Sequence, residues 1–205
     1  MPSPVDICNL ALSHFGEAGN VASIDPPEAS AQARLCARFY PLARDSAIEV
    51  HSWGFATRRA PLASVPLPDA YIGEWEYAYT LPAKCLRLWQ VYLPGVTEPG
   101  HSEDFAVESG ADGNSLVLTH VEGAHGKYVI LVEDTTKYPP SFVTFLSFQL
   151  AEMLVIPVTR SAEQHASIAN RRAASFAQAT TQDARSSSVE QMLDEQTPDW
   201  IRARN

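Results

Sequence analysis

The feature that most constrains this chain is a change of hydrophobic period that happens twice. Near both ends, apolar residues recur every three to four positions, whereas from Trp75 to Asp134 they alternate. A chain that reads helix, then strand, then helix must draw one helical bundle from both ends and carry its sheet as an insertion. The expected class is therefore α+β, mainly α. It comprises a bundle of about four helices from residues 1–60 and 138–183, an inserted antiparallel β meander over 61–137, and an extended C-terminal arm over 184–205.

The helix starts are written in capping grammar. Ser3-Pro4-Val5-Asp6 sets a hydroxyl before a proline, with a carboxylate at the third position after the cap. Asp25-Pro26-Pro27-Glu28 repeats the pattern, and Ser161-Ala162-Glu163-Gln164 is a third capping box. The first helix is predicted over about Pro4–Phe15, with Val5, Cys8, Leu12 and Phe15 as its stripe and Gly16 as its stop. The second is predicted over about Pro26–Ser52, with Cys36, Phe39, Ala43, Ala47 and Val50 inward and a kink or break at Pro41. The third, about Pro140–Ile156, is apolar nearly all round, so it belongs at the centre; Pro157 is expected to end it. The fourth, from Ala162 to about Gln182, carries Ala162, Ala166, Ala169, Ala173, Phe176 and Thr180 at heptad-like spacing. Small residues in such a stripe permit close approach, either within the bundle or sideways against a neighbour in a ring.

In the middle, Leu86–Leu93, Ser115–Thr119 and Tyr128–Val132 alternate. Gly110-Ala111-Asp112-Gly113-Asn114 and Glu122-Gly123-Ala124-His125-Gly126 between them are turn compositions. Past the fourth helix, Arg185-Ser186-Ser187-Ser188 reads as a solvated linker. It leads to Met192-Leu193 and then to Trp200, Ile201 and Arg202. A Trp-Ile pair in such an arm calls for a docking surface, on its own domain or on a partner.

Composition narrows the function classes. At 205 residues the chain suits one domain, or one domain with a sizeable insertion. The longest apolar stretch, Phe142–Val158, is interrupted by Gln149, Glu152 and Pro157, which argues against a membrane span. The N-terminus lacks the basic and apolar regions of a signal peptide. Three dispersed cysteines (Cys8, Cys36, Cys85) fit neither a disulfide framework nor a thiolate zinc site. The net charge is −9. Such a balance disfavours gripping phosphates and suits a surface past which DNA slides without sticking.

Signatures of catalysis are missing. There is no phosphate loop, no nucleophile elbow and no His-Glu-x-x-His. His120 and His125 flank a turn containing Glu122, which reads as solvated hairpin residues sooner than a metal site. Glu74 and Glu76 flank Trp75, and Glu103 adjoins Asp104; paired acids beside aromatics are what a glycoside hydrolase needs. Arg58-Arg59 and Arg171-Arg172 read as solvated or subunit-pairing cations. No catalytic residue, metal or cofactor is expected.

Several segments carry a family likeness. Asp6-Ile7-Cys8-Asn9-Leu10-Ala11-Leu12, Phe15-Gly16-Glu17 and Ile24-Asp25 resemble the opening of the tail tubular protein A family, the head-to-tail adaptors or gatekeepers of short-tailed bacteriophages. Ala31–Tyr40, Ala43-Arg44-Asp45 and the exit His51-Ser52-Trp53-Gly54-Phe55-Ala56 are similar to that family's second helix and its Trp-x-Phe-Ala corner, with Trp53 and Phe55 as the motif residues; Leu62-Ala63 follows in place. Tyr79-x-Leu81-Pro82, with Cys85-Leu86-Arg87, resembles the family's entry into the sheet. Phe142–Leu154 with Pro157-Val158-Thr159 is similar to its third helix. The likeness spans about residues 5–180. It departs over residues 94–127 and at Gly54, where the family often has a small polar residue. The resemblance implies a structural and non-enzymatic ring subunit, a dodecamer in the virion. It would sit at the portal vertex between the portal protein and the tail nozzle protein, be assembled in the host cytoplasm, and let genomic DNA pass through its channel. A C-terminal segment would reach the portal, for which Met192, Leu193, Trp200, Ile201 and Arg202 are the candidates. The alternative class is a virion-associated peptidoglycan hydrolase.

Overall fold

The computed structural model describes residues 2–95, 102–111 and 113–195, with α4 side chains described as far as Ser186. In chain order the elements are α1 (Pro4–Ser13), α2 (Ala31–Glu49), β1 (Thr57–Pro61), β2 (Ala63–Val65), β3 (Tyr77–Thr80), β4 (Cys85–Tyr92), β5 (Phe105–Ser109), β6 (Ser115–Thr119), β7 (His125–Ile130), α3 (Pro140–Thr159) and α4 (Ala162–Glu195). The class is α+β, mainly α, with antiparallel strands inserted between helices. Two compact units form. One comprises Met1–Ala47, Trp53–Phe55 and Glu133–Asn205; the other comprises Ile48–Ser52 and Ala56–Val132.

In the helical unit, α1 starts as its grammar predicts. Ser3 Oγ accepts from the Asp6 amide at 3.1 Å, and the Asp6 carboxylate accepts from the Ser3 amide at 2.8 Å. That reciprocal bonding holds the Asp6 carboxyl below its usual range. Ile7, Cys8, Ala11 and Leu12 are buried. A loop returns from α1 and is pinned by Asn9. Its side-chain amide donates to the Val21 carbonyl and its Oδ1 accepts from the Val21 amide, both at 2.9 Å. Gly19 lies so close that a Cβ there would meet the Asn9 carbonyl oxygen at 2.6 Å.

Helix α2 corrects two expectations. It begins at Ala31, because Ser30 is the cap: its Oγ accepts from the Ala33 amide at 3.1 Å. Asp25-Pro26-Pro27-Glu28 instead forms a turn closed by an Ile24–Pro27 bridge. Pro41 does not break the helix, which continues to Glu49 with the proline on its exposed side. Its buried stripe is Ala33, Cys36, Tyr40, Ala43 and Ala47; Phe39 is half-buried and Val50 exposed.

Helix α3 is the core helix, burying Phe142, Phe145, Leu146, Leu150 and Leu154 among others. Gln149, Glu152 and Pro157 do not interrupt it, and Pro157 lies within its last turn. The stop is Arg160, which adopts a left-handed conformation (φ 56°). By length and composition alone its 20 residues are long and apolar enough to cross a membrane; half of that stretch is buried in the fold. Helix α4 runs to Glu195, through the Arg185–Ser188 stretch whose composition suggests a linker. Ser186 bonds its hydroxyl back to the Gln182 and Asp183 carbonyls, which keeps a serine compatible with helix.

In the other unit, the strands form two antiparallel sheets, ordered β1-β7-β4 and β2-β3-β6-β5. Register shifts interrupt the β4–β7 pairing between Cys85 and Arg87 and between Leu88 and Gln90. Leu62, Tyr79, Leu88, Val91, Val117 and Tyr128 anchor one apolar cluster, and Ala78, Leu116 and Leu118 a smaller one.

Candidate functional site

The densest construction in the helical unit is the corner after α2. Trp53 is 1% exposed. Its indole N–H donates to the Ala47 carbonyl at 2.8 Å, which satisfies one of the carbonyls that a helix C-terminus leaves open. The ring meets Phe142 edge-on at 5.1 Å, Phe145 at 6.0 Å and Phe176 at 6.3 Å. Phe55 adds Tyr138 at 5.4 Å and Phe142 at 4.8 Å. Such pairs contribute about 0.5–1.5 kcal/mol each beyond the area they bury. Gly54, between the two rings, donates its amide to the Asp183 carboxylate of α4 at 3.1 Å. A Cβ at Gly54 would stand 3.4 Å from that carboxylate. The Trp-x-Phe motif thus joins α2, α3 and α4 at one point.

Beside the corner lies a polar cluster. Arg44 pairs with Asp45 at 2.7 Å and approaches Glu133 at 3.9 Å. Burial pushes the Tyr138 phenol up and moves that of Tyr40 up to about 12, so both stay protonated. Tyr40 is 4% exposed, and its buried hydroxyl has no hydrogen-bond partner. Cys8 and Cys36 are buried, free thiols; the hydrogen bond between them, together with burial, pushes the Cys8 thiol well above its ordinary range.

The α4 candidates separate by face. Ala162, Ala166 and Ala173 are exposed, while Ala169 and Phe176 are half-buried. The buried face is Ile168, Ser175 and Ala179, one position away from the expected stripe, so the three exposed alanines take no part in bundle packing. Arg172 pairs with Glu152, and Arg171 lies 5.7 Å over the Phe148 ring; both cations are engaged within the unit. The side chains of Met192 and Leu193, and all of Trp200, Ile201 and Arg202, lie outside the described residues.

The sheet unit separates the candidates for chemistry. His120 stacks on Trp75 at 5.0 Å with Nδ1 3.6 Å from Glu76, whereas His125 packs against Tyr92 at 5.8 Å. Among the described residues, no three His, Cys, Asp or Glu side chains gather as metal ligands. Glu74, Glu76 and Asp104 are exposed and Glu103 is half-buried. Arg58 and Arg59 are exposed on β1, where Arg59 faces Lys127 across the ladder; burial and that like charge lower the Lys127 pKa.

Three positions carry more than sequence reasoning assigned them. Asn9 pins the first loop. Tyr40 lines an unfilled groove. Tyr79 donates its hydroxyl to the Val121 carbonyl at 2.7 Å and accepts from the Ala124 amide at 3.2 Å, clasping the turn between β6 and β7. Asn9 and Tyr79 lie within the quoted motifs, but their partners are distant in sequence, so spacing alone gives no signal. No protein-family model matches the chain, and no curated protein gives a significant match.

Proposed function

We propose that this chain is a structural head-to-tail adaptor of a short-tailed phage: a ring subunit under the portal that joins it to the tail nozzle while genomic DNA passes through. The observation that carries the reading is where the family-like motifs fall. Asn9 closes the first loop, Trp53 and Phe55 build the corner, and Tyr79 clasps the sheet turn. These are framework tasks, as suits a part whose work is mechanical.

Two further features favour it. The exposed alanines of α4 offer a flat strip to a neighbouring subunit. The net charge of −9 disfavours DNA sticking to the channel. Weak lateral contacts repeated around a ring add by multivalency, so assembly waits for a template. The end of α4 and the following residues, with Met192, Leu193, Trp200, Ile201 and Arg202, are the proposed portal contact.

The test is negative-stain imaging of the full chain mixed with its phage's portal protein. A collar of new density beneath the portal ring is the expected result. Bare portal rings at saturating protein would overturn the reading.

A further inference from the structure

The sheet unit carries opposite charge on its two outer faces. Its sheets pack through one apolar cluster, to which the first (β1-β7-β4) contributes Leu88, Val91 and Tyr128 and the second (β2-β3-β6-β5) contributes Tyr79 and Val117. Side chains alternate along a strand, so the residues next to these point away from the cluster. On the first sheet those include Arg59 of β1, Lys127 of β7 and Arg87 of β4. Arg59 is the register partner of Lys127, and Arg87 that of Val129, on either side of the inward Tyr128. Arg59 and Arg87 are exposed and Lys127 is half-buried. The Arg87 guanidinium lies 4.4 Å over the Trp89 ring. None of the three cations pairs with a carboxylate among the described residues. Like charges directly opposite across a ladder are destabilising, and a carboxylate laid over them relieves that cost.

The far side of the second sheet is the reverse. There Ala78, Leu116 and Leu118 pack against Leu67, Tyr71 and Trp75 from the segment between β2 and β3. That layer presents Asp69, Glu74 and Glu76. Strand β5 adds Glu108, whose register partner Leu116 sets it on the same face; all four carboxylates are exposed. Ile72, between Asp69 and Glu74 in sequence, is 67% exposed. No lysine or arginine occurs from Pro61 to Ala83 or from Leu88 to Gly126. The unit is thus a sandwich with one basic and one acidic face, and each face is the complement of the other on a second copy. Faces on opposite sides make a head-to-tail contact, the kind that closes a ring or runs on as a filament. Nucleic acid fits less well, because beyond these three cations it would meet a chain of net charge −9.

We infer that the face of one copy that carries Arg59, Lys127 and Arg87 docks on the face of the next that carries Glu74, Glu76 and Glu108. Its role in assembly rests on the ring reading above, to which it adds a lateral contact made by the sheet unit. The contact itself needs no phage component. Bare portal rings would leave it standing, and its loss would leave portal docking standing, so the two tests fail separately.

Sedimentation equilibrium of the full chain over a concentration series, at low and at high salt, tests it. Weak self-association is expected, falling about fivefold or more from low to high salt as screening shortens the reach of these charges. Net charge alone gives the opposite, since an acidic chain repels its copies most when salt is low. Arg59→Glu/Arg87→Glu chains and Glu74→Lys/Glu76→Lys chains each associate about tenfold or more weakly alone. Mixing the two restores association, because each keeps the native face that the other has lost. Both variants remain net acidic, so general attraction between them does not account for recovery. Circular dichroism identifies a variant that fails to fold; Arg59→Gln and Glu74→Gln then carry the test, each weakening association about two- to threefold. A chain that stays monomeric at low salt overturns the inference. So does association that strengthens with salt, that the variants leave unchanged, or that the mixture fails to recover. Binding of a fluorescent single-stranded oligonucleotide that Arg59→Glu/Arg87→Glu abolishes, in a chain that does not self-associate, overturns it in favour of nucleic acid.

Discussion

The helical unit and the sheet unit bury apolar surface by different means. In the helical unit three helices converge on Trp53, and the core is continuous side-chain volume: Trp53, Phe142, Phe145 and Leu146 are essentially inaccessible. The sheet unit has strands of three to eight residues in two sheets; one apolar cluster takes Leu88, Val91 and Tyr128 from the first sheet and Tyr79 and Val117 from the second, and a smaller one takes Ala78, Leu116 and Leu118 from the second alone. Strands of that length are ordinary, and sheets of three and four strands are held by the apolar face they bury. On top of that packing, the Tyr79 hydroxyl fastens the turn between β6 and β7, whereas the helical unit is joined at an aromatic junction.

The sharpest way to break that contrast is Trp53→Ala. Removing the ring leaves a cavity where three helices meet, and the expected loss is about 3–5 kcal/mol in urea or thermal unfolding. A loss under about 1 kcal/mol would mean that the corner is not what joins the helices. Next comes Tyr79→Phe. It deletes one hydroxyl and no volume, yet it strands the buried Ala124 amide. The expected cost is about 2 kcal/mol. Hydrogen exchange should show the Ala124 amide losing protection while amides in α3 keep theirs. Loss of protection in α3 as well would erase the distinction between the units. Smaller again is Gly126→Ala. Its Cβ would stand 2.9 Å from Leu62 Cδ2 and 3.0 Å from Leu88 Cδ1, both ends of flexible side chains. About 1 kcal/mol is expected, read as a shift in the denaturation midpoint. Larger damage would show the sheet core to be rigidly packed, like the helical one.

The same contrast explains what could be read in advance. The helices were legible because period and caps are local: Ser3 caps through its full box, and Ser161 Oγ accepts from the Gln164 amide while its own amide donates to Thr159 Oγ1 instead. Asp25-Pro26 misled because proline after a capping residue suits turns as well as helix starts, and Ser30 supplied a better cap, six residues before Cys36, where the expected stripe begins. Tyr40 was passed over because Phe39 fits an idealised stripe as well, and one residue of rotation decides which ring is buried. The same one-residue rotation moved the buried face of α4 from the alanines to Ile168, Ser175 and Ala179. Among strands, β4, β6 and part of β7 were legible as apolar segments between turn residues, but β6 buries four consecutive residues, Leu116–Thr119, where alternation was expected. Strands β1 (Thr57–Pro61) and β2 (Ala63–Val65) are too short and too polar to alternate, and their pairing comes from tertiary context. The two charged faces were illegible for a different reason: Arg59, Arg87 and Lys127 come together only through strand pairing, which spacing in the sequence does not show.

The smallest predicted effect concerns acid, and it falls on the helical unit. His14 stacks on Phe148 with ring centroids 3.8 Å apart, and its Nε2 lies 2.8 Å from Ser147 Oγ. Ser147 spends its own proton on the Thr144 carbonyl, so its oxygen accepts from His14 and the neutral Nε2–H tautomer fits. Burial, and then the Arg171 charge, lower the His14 pKa in the folded chain. The unfolded chain, with an ordinary value near about 6.5, therefore takes up this proton first as pH falls. The His14 contribution is constant above that value. It is lost progressively as pH drops through the window down to the depressed folded value, and it stays lost below. Urea midpoints at about pH 7.5 and about pH 5 should fall further for the native chain than for His14→Gln, which keeps a donor for Ser147 and cannot titrate. Equal falls in the two proteins would assign the acid sensitivity to other groups, and the helical unit would then lose stability in acid for reasons unrelated to its stacked histidine.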